Sequence, residues 1–103
     1  MVKVVWSIKA ENDLNLIIDY IAQDSLEYAI SFYAQISEKV EILIQFPKMG
    51  RIVPEFDDPN IRELILRNYR LIYRISGENI QILRLIHGSR ILDFETLMLR
   101  MIQ

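Results

Sequence analysis

Arginine carries the first chemical information in this chain. All eight arginines, Arg51, Arg62, Arg67, Arg70, Arg74, Arg84, Arg90 and Arg100, lie in residues 51–103, where they face seven acids and leave a net +1. Residues 1–50 hold four lysines against seven acids, a net −3. A guanidinium keeps its charge under nearly all conditions and presents a planar donor fork that matches a carboxylate or a phosphate. The cluster therefore reads either as an anion- or partner-binding surface, Arg70, Arg74, Arg84 and Arg90 being its candidates, or as solvated charges along strand edges. Two further residues have acid–base chemistry. His87 is the sole histidine and reads as a general base or as a local hydrogen-bonding group closing a strand. Glu55, beside Pro54, reads as a base or as a loop anchor paired with Arg51 or Arg62.

Positioning these groups falls to a simple succession of elements. Val2 to Trp6 is a short β-prone run, with Trp6 a core anchor and Ser7 a cap for the first helix. Leu14, Ile17, Ile18 and Ile21 recur at helical spacing and predict that helix over residues 10–22. Asp24 and Glu27 have capping-box spacing for a second helix over about 25–45, whose stripe is Ala29-Ile30, Tyr33, Ile36-Ser37, Val40 and Leu43-Ile44, ending before Pro47. Residues 48–60 read as a loop through Gly50, Pro54, Asp57-Asp58 and Pro59. Beyond it the apolar period changes to two. Arg62–Arg67, Tyr69–Ile75 and Ile80–His87 predict three antiparallel strands, with turns near Asn68 and at residues 76–79. Alternation places Arg70, Ile72 and Arg74 on one face and Tyr69, Leu71, Tyr73 and Ile75 on the other. In the third run it groups Ile80, Ile82, Arg84 and Ile86 against Gln81, Leu83, Leu85 and His87. Both sheet faces carry apolar residues, so the hairpin covers one and something else, in part a partner, covers the other. Residues 93–101 read as a possible short third helix.

Composition narrows the class. The chain of 103 residues has room for one domain, 1–103. Hydrophobic residues make up 51%, eighteen of them Ile, which gives a domain of this size enough to bury. There is no cysteine, which excludes disulfides, thiolate metal sites and cysteine nucleophiles. No metal-ligand spacing and no Gly-rich phosphate loop occurs, so no cofactor is expected. Charges interrupt every apolar stretch well short of the roughly 20 residues of a membrane helix, and a cytoplasmic location is the default. A net charge of −2 argues against a whole-surface nucleic-acid binder.

Several segments, in order, resemble the RelE/ParE superfamily of bacterial toxins, the toxic halves of type II toxin–antitoxin systems often described as plasmid stabilisation proteins. They are Trp6-Ser7, Tyr20-Ile21, Pro47-Lys48-Met49-Gly50-Arg51, Val53-Pro54-Glu55, Arg62-Glu63-Leu64, Tyr69 to Ile75, and His87-Gly88-Ser89-Arg90. The resemblance implies an α+β toxin domain: an N-terminal strand and an antiparallel helical hairpin packed on an antiparallel sheet of about four strands. A cognate antitoxin would neutralise it, presenting acidic side chains to the Arg70, Arg74, Arg84 and Arg90 region.

The superfamily implies two activities. In the RelE-like branch the toxin is a ribosome-dependent mRNA endoribonuclease; here Arg70 matches the strand arginine at the phosphate, Arg90 matches the arginine after the last strand, and Glu55 with His87 stand for the acid–base pair. The lysines and the C-terminal tyrosine of the most characteristic ribonucleases have no equivalent, since the preceding strand holds Arg62 and Glu63 and residues 91–103 hold neither Tyr nor His. The ParE-like branch inhibits DNA gyrase without being a nuclease, and the acidic balance and missing residues favour that side. A non-toxic binding module is the third class.

Overall fold

The computed structural model describes residues 2–88. Strand β1 (Lys3–Trp6) is followed by helices α1 (Ile8–Asp24) and α2 (Leu26–Gln45), then by β2 (Arg51–Ile52), β3 (Ile61–Leu66), β4 (Tyr69–Ser76) and β5 (Asn79–His87). The sheet has five strands in the order β1-β5-β4-β3-β2. It is mixed rather than wholly antiparallel: β1 runs parallel to β5, while the other pairs are antiparallel. A parallel pair needs a long crossover, and the whole helical hairpin lies between β1 and the later strands. The short β2 was expected as loop, and the expected C-terminal helix at 93–101 lies outside the described residues.

Two serines define the hairpin. Ser7 caps α1 by accepting from the Ala10 amide at 2.9 Å, and its hydroxyl donates to the Leu83 carbonyl at 3.0 Å. Its own amide donates to the Ile82 carbonyl, so one residue starts the helix and ties it to β5. Ser25 ends α1 through its amide on the Ile21 carbonyl and starts α2 by accepting from the Tyr28 amide. The expected Asp24–Glu27 capping box does not form. Asp24 is still helical, Ser25 has the extended backbone that a cap requires, and the third helical residue is then Tyr28.

One face of the sheet packs against the helices. Ala10, Leu14, Ile17, Ile18 and Ile21 of α1 and Phe32, Ile36, Val40 and Leu43 of α2 meet Leu64, Leu66, Leu71, Tyr73, Ile80, Ile82 and Leu85. Phe32 is the anchor of α2, whereas Ile30 and Tyr33, expected in its buried stripe, are exposed. The stripe that faces the sheet is 29-32-36-40-43, and positions 30 and 33 fall to its side.

On the opposite face lies a smaller cluster of Val53, Ile61, Ile72, Leu83 and Ile86, with Phe56 packed on it. The chain's own 53–60 loop thus covers part of the second face. Strict alternation along β5 fails, because the register with β4 shifts between Ile72 and Tyr73, pairing them with Arg84 and Ile82. Leu83 is the extra residue of a bulge, after which the side chains change faces. Ile82 and Leu85 therefore point to the helices, while Leu83 and Ile86 join the other cluster. No helix of the described residues is long and apolar enough to cross a membrane.

Ser7→Ala removes the cap and the hydroxyl bond to the Leu83 carbonyl, and leaves the amide bond to Ile82. Urea unfolding should show a loss of about 1–2 kcal/mol with an unchanged m-value.

Candidate functional site

The second sheet face carries a ladder of buried charge. Glu63 stands at the middle of β3 directly opposite Arg51 of β2 and opposite Ile72 of β4, so Arg70 is its diagonal neighbour on the same face. The Glu63 side chain is 0% exposed and that of Arg70 is 7% exposed. Arg70 Nε donates to Glu63 Oε1 at 2.6 Å, and Arg51 Nε donates to Glu63 Oε2. The other edge of the Arg70 guanidinium grips Glu55 with both nitrogens, Nη1 to Oε2 at 2.8 Å and Nη2 to Oε1 at 2.9 Å. Among the described residues two cations and two carboxylates alternate, and their charges balance. The Glu55 bond raises the Arg70 pKa above its ordinary value, opposed by burial and assisted by Glu63.

The neighbouring backbone is shaped to fit. A Cβ at Gly50 would lie 2.6 Å from the Glu63 carbonyl oxygen and 2.7 Å from the Tyr73 hydroxyl, so only glycine lets this segment lie against β3. The Gly50 amide donates to that hydroxyl at 3.0 Å, and the hydroxyl donates to the Pro47 carbonyl at 2.6 Å. Burial, the larger influence, pushes the Tyr73 pKa up, and the Gly50 bond opposes it. Arg62 holds the other side through the carbonyls of Pro59, Gly50 and Lys48. Glu55 therefore pairs with Arg70, not with Arg51 or Arg62 as expected, because the turn at residues 54–56 carries it over β4.

A cleft of about 320 Å³ opens beside the ladder, lined by Arg51, Glu55, Arg67, Tyr69, Arg70 and His87 among others. The structure thus brings together Glu55, Arg70 and His87; Arg90 lies outside the described residues. The Tyr69 ring meets His87 edge-on at 5.7 Å and Phe32 at 5.4 Å.

The described arginines expected on a partner surface each have contacts within the chain. Arg70 is in the ladder, and Arg84 is tied to Asp13 of α1, which also accepts from the Leu85 amide. Arg74 is half-buried and reaches Gln81 at 3.4 Å. Trp6 packs half-buried against the main core. Sequence reasoning missed Glu63 and Asp13 as partners. The available signal was a glutamate on the same side of its strand as Ile61 and Ile65, with an arginine seven residues later across a hairpin. Among the described residues, no group of three or more His, Cys, Asp or Glu is placed to hold a metal ion.

Arg70→Met leaves the Glu63 carboxylate buried with only Arg51 to answer it. Stability should fall by about 3–5 kcal/mol, and Arg70→Met combined with Glu63→Leu should recover most of that loss, as replacing a whole buried pair does. Chemical denaturation of both variants measures this; a loss below about 1 kcal/mol for Arg70→Met, the range of an exposed pair, would contradict the buried ladder.

The family model for the ParE toxin of type II toxin–antitoxin systems matches residues 4–92, which include the hairpin, the ladder and the cleft. The solved chromosomal ParDE toxin–antitoxin system from P. aeruginosa contains a chain with 32% identity and a TM-score of 0.70, covering 86% of this chain and 98% of that one. A curated relative, Toxin RelE2 of Caulobacter vibrioides, is 29% identical over 92 residues, 88% of this chain and 100% of its own length. The chain is a RelE/ParE superfamily toxin, nearer the ParE side by family model and by structure, and belongs to the ParE toxin family of type II toxin–antitoxin systems.

Proposed function

We propose that this toxin acts as a ParE-like inhibitor of DNA gyrase, is not a nuclease, and is neutralised by a cognate antitoxin. The observation that carries this reading is the state of Arg70. A phosphate clamp must offer positive charge to the transition state, whereas this guanidinium is buried and bound on two edges by Glu55 and Glu63. A phosphate arriving there would have to displace a carboxylate already held by two hydrogen bonds, at a ladder with no charge to spare. The absence of the lysines and C-terminal tyrosine of the ribonuclease pattern points the same way.

The ribonuclease reading has one observation in its favour, the cleft that gathers Glu55, Arg70 and His87. In that reading His87 and Glu55 exchange protons with the ribose hydroxyl and the leaving oxygen while Arg70 stabilises the phosphate. It requires Glu55 to release Arg70.

The antitoxin is proposed to present carboxylates to Arg74 and Arg90. Any contact at Arg70 or Arg84 would involve exchanging a carboxylate for Glu55 or Asp13.

Purified toxin incubated with gyrase, ATP and supercoiled plasmid should give linear DNA after detergent and protease treatment, and should leave mRNA on translating ribosomes intact. His87→Ala should change gyrase poisoning by no more than about threefold, since single exposed contacts of a protein interface are rarely decisive. Ribosome-dependent cuts by the wild type that vanish in His87→Ala, with no gyrase effect, would replace this reading with the ribonuclease one.

A further inference from the structure

The tip of the helical hairpin has a groove of about 600 Å³, next to the cleft beside the ladder, with Tyr69 lining both. It is lined by Tyr20, Ile21, Gln23, Asp24, Ser25, Tyr28 and Tyr69. Three tyrosines contribute to it. Tyr20 is 67% and Tyr28 52% exposed, a large aromatic area to leave in water on so small a domain. Among the described residues no basic side chain lines it, and Asp24, exposed on its wall, has no ion-pair partner. Near the tip, Asp19, Asp24 and Glu27 are exposed acids, while Arg67 lies against the Tyr28 ring beside the groove.

We infer that this groove receives a cationic side chain, arginine or lysine, presented by a protein partner. Aromatic faces attract a cation through the negative potential above the ring, and a carboxylate on the wall adds direct charge complementarity. The protein shows the same mode within its own chain. Arg67, which does not line the groove, places its guanidinium 4.2 Å from the centroid of the Tyr28 ring, while its Nε donates to Gln35 at 3.1 Å. A nucleic acid or an acidic peptide would bring its negative charge against Asp24, with Asp19 and Glu27 close by on the same hairpin. A purely apolar side chain would desolvate Asp24 and leave it unanswered. The chemistry of the groove is independent of the choice between gyrase and ribosome.

The test is an amide NMR titration of the full chain with a capped Gly-Gly-Arg-Gly-Gly peptide and with its citrulline counterpart, which keeps the shape and loses the charge. The arginine peptide should shift amides within residues 20–28 and that of Tyr69, with affinity at least about fivefold above the citrulline peptide. Asp24→Asn and Tyr20→Ala, both at exposed positions, should each weaken it about three- to tenfold. Equal binding of the two peptides, shifts centred elsewhere, or no shifts at the highest peptide concentration would each overturn the inference.

Discussion

A carboxylate removed from water must be answered by cations at hydrogen-bond distance or it destabilises the fold. Glu63 imposes that condition here. Its two oxygens are divided between Arg70 of β4 and Arg51 of β2, and Arg70 in turn holds Glu55 of the 53–60 loop. One buried charge thus fixes the position of three strands and of the loop that covers the second sheet face. Gly50 and Tyr73 serve the same geometry, since any side chain at position 50 would push Arg51 away from its partner. Val53 and Phe56 then close over Ile61, Ile72, Leu83 and Ile86.

The same ladder bears on function. Among the described residues its charges cancel internally, so Arg51 and Arg70 line the cleft while already bound to Glu63 and Glu55. The proposed non-nuclease reading turns on whether the strand arginine is free to meet a substrate or is held within the sheet. In this chain it is bound by Glu55 and Glu63, while Tyr20 and Tyr28 at the hairpin tip are left exposed.

Much of this was legible in the sequence, for physical reasons. Both helices follow from apolar spacing, and the three long strands from the change of period after the loop. The choice of Phe32 over Ile30 and Tyr33 was not legible, because neighbouring apolar residues leave the helix rotation ambiguous by tens of degrees. The bulge at Leu83 was invisible for a related reason: β5 is apolar on both faces, so no polar residue marks the slip. Glu55, Arg70 and His87 were readable as candidates, with Arg90, through residue type and family resemblance, but their proximity was not. The partner of Glu55 was not, since it depends on a loop reaching across a strand, and Glu63 passed for an ordinary strand charge because its burial follows only from the hairpin register.

Whether Arg70 is a strut in the ladder or an open anion clamp is read from solvent exchange of its Nε proton, followed by nitrogen-resolved NMR while inorganic phosphate is added. The ladder predicts a slowly exchanging signal, held by its bond to Glu63, that phosphate does not move. A rapidly exchanging signal that shifts and saturates with phosphate would contradict the account.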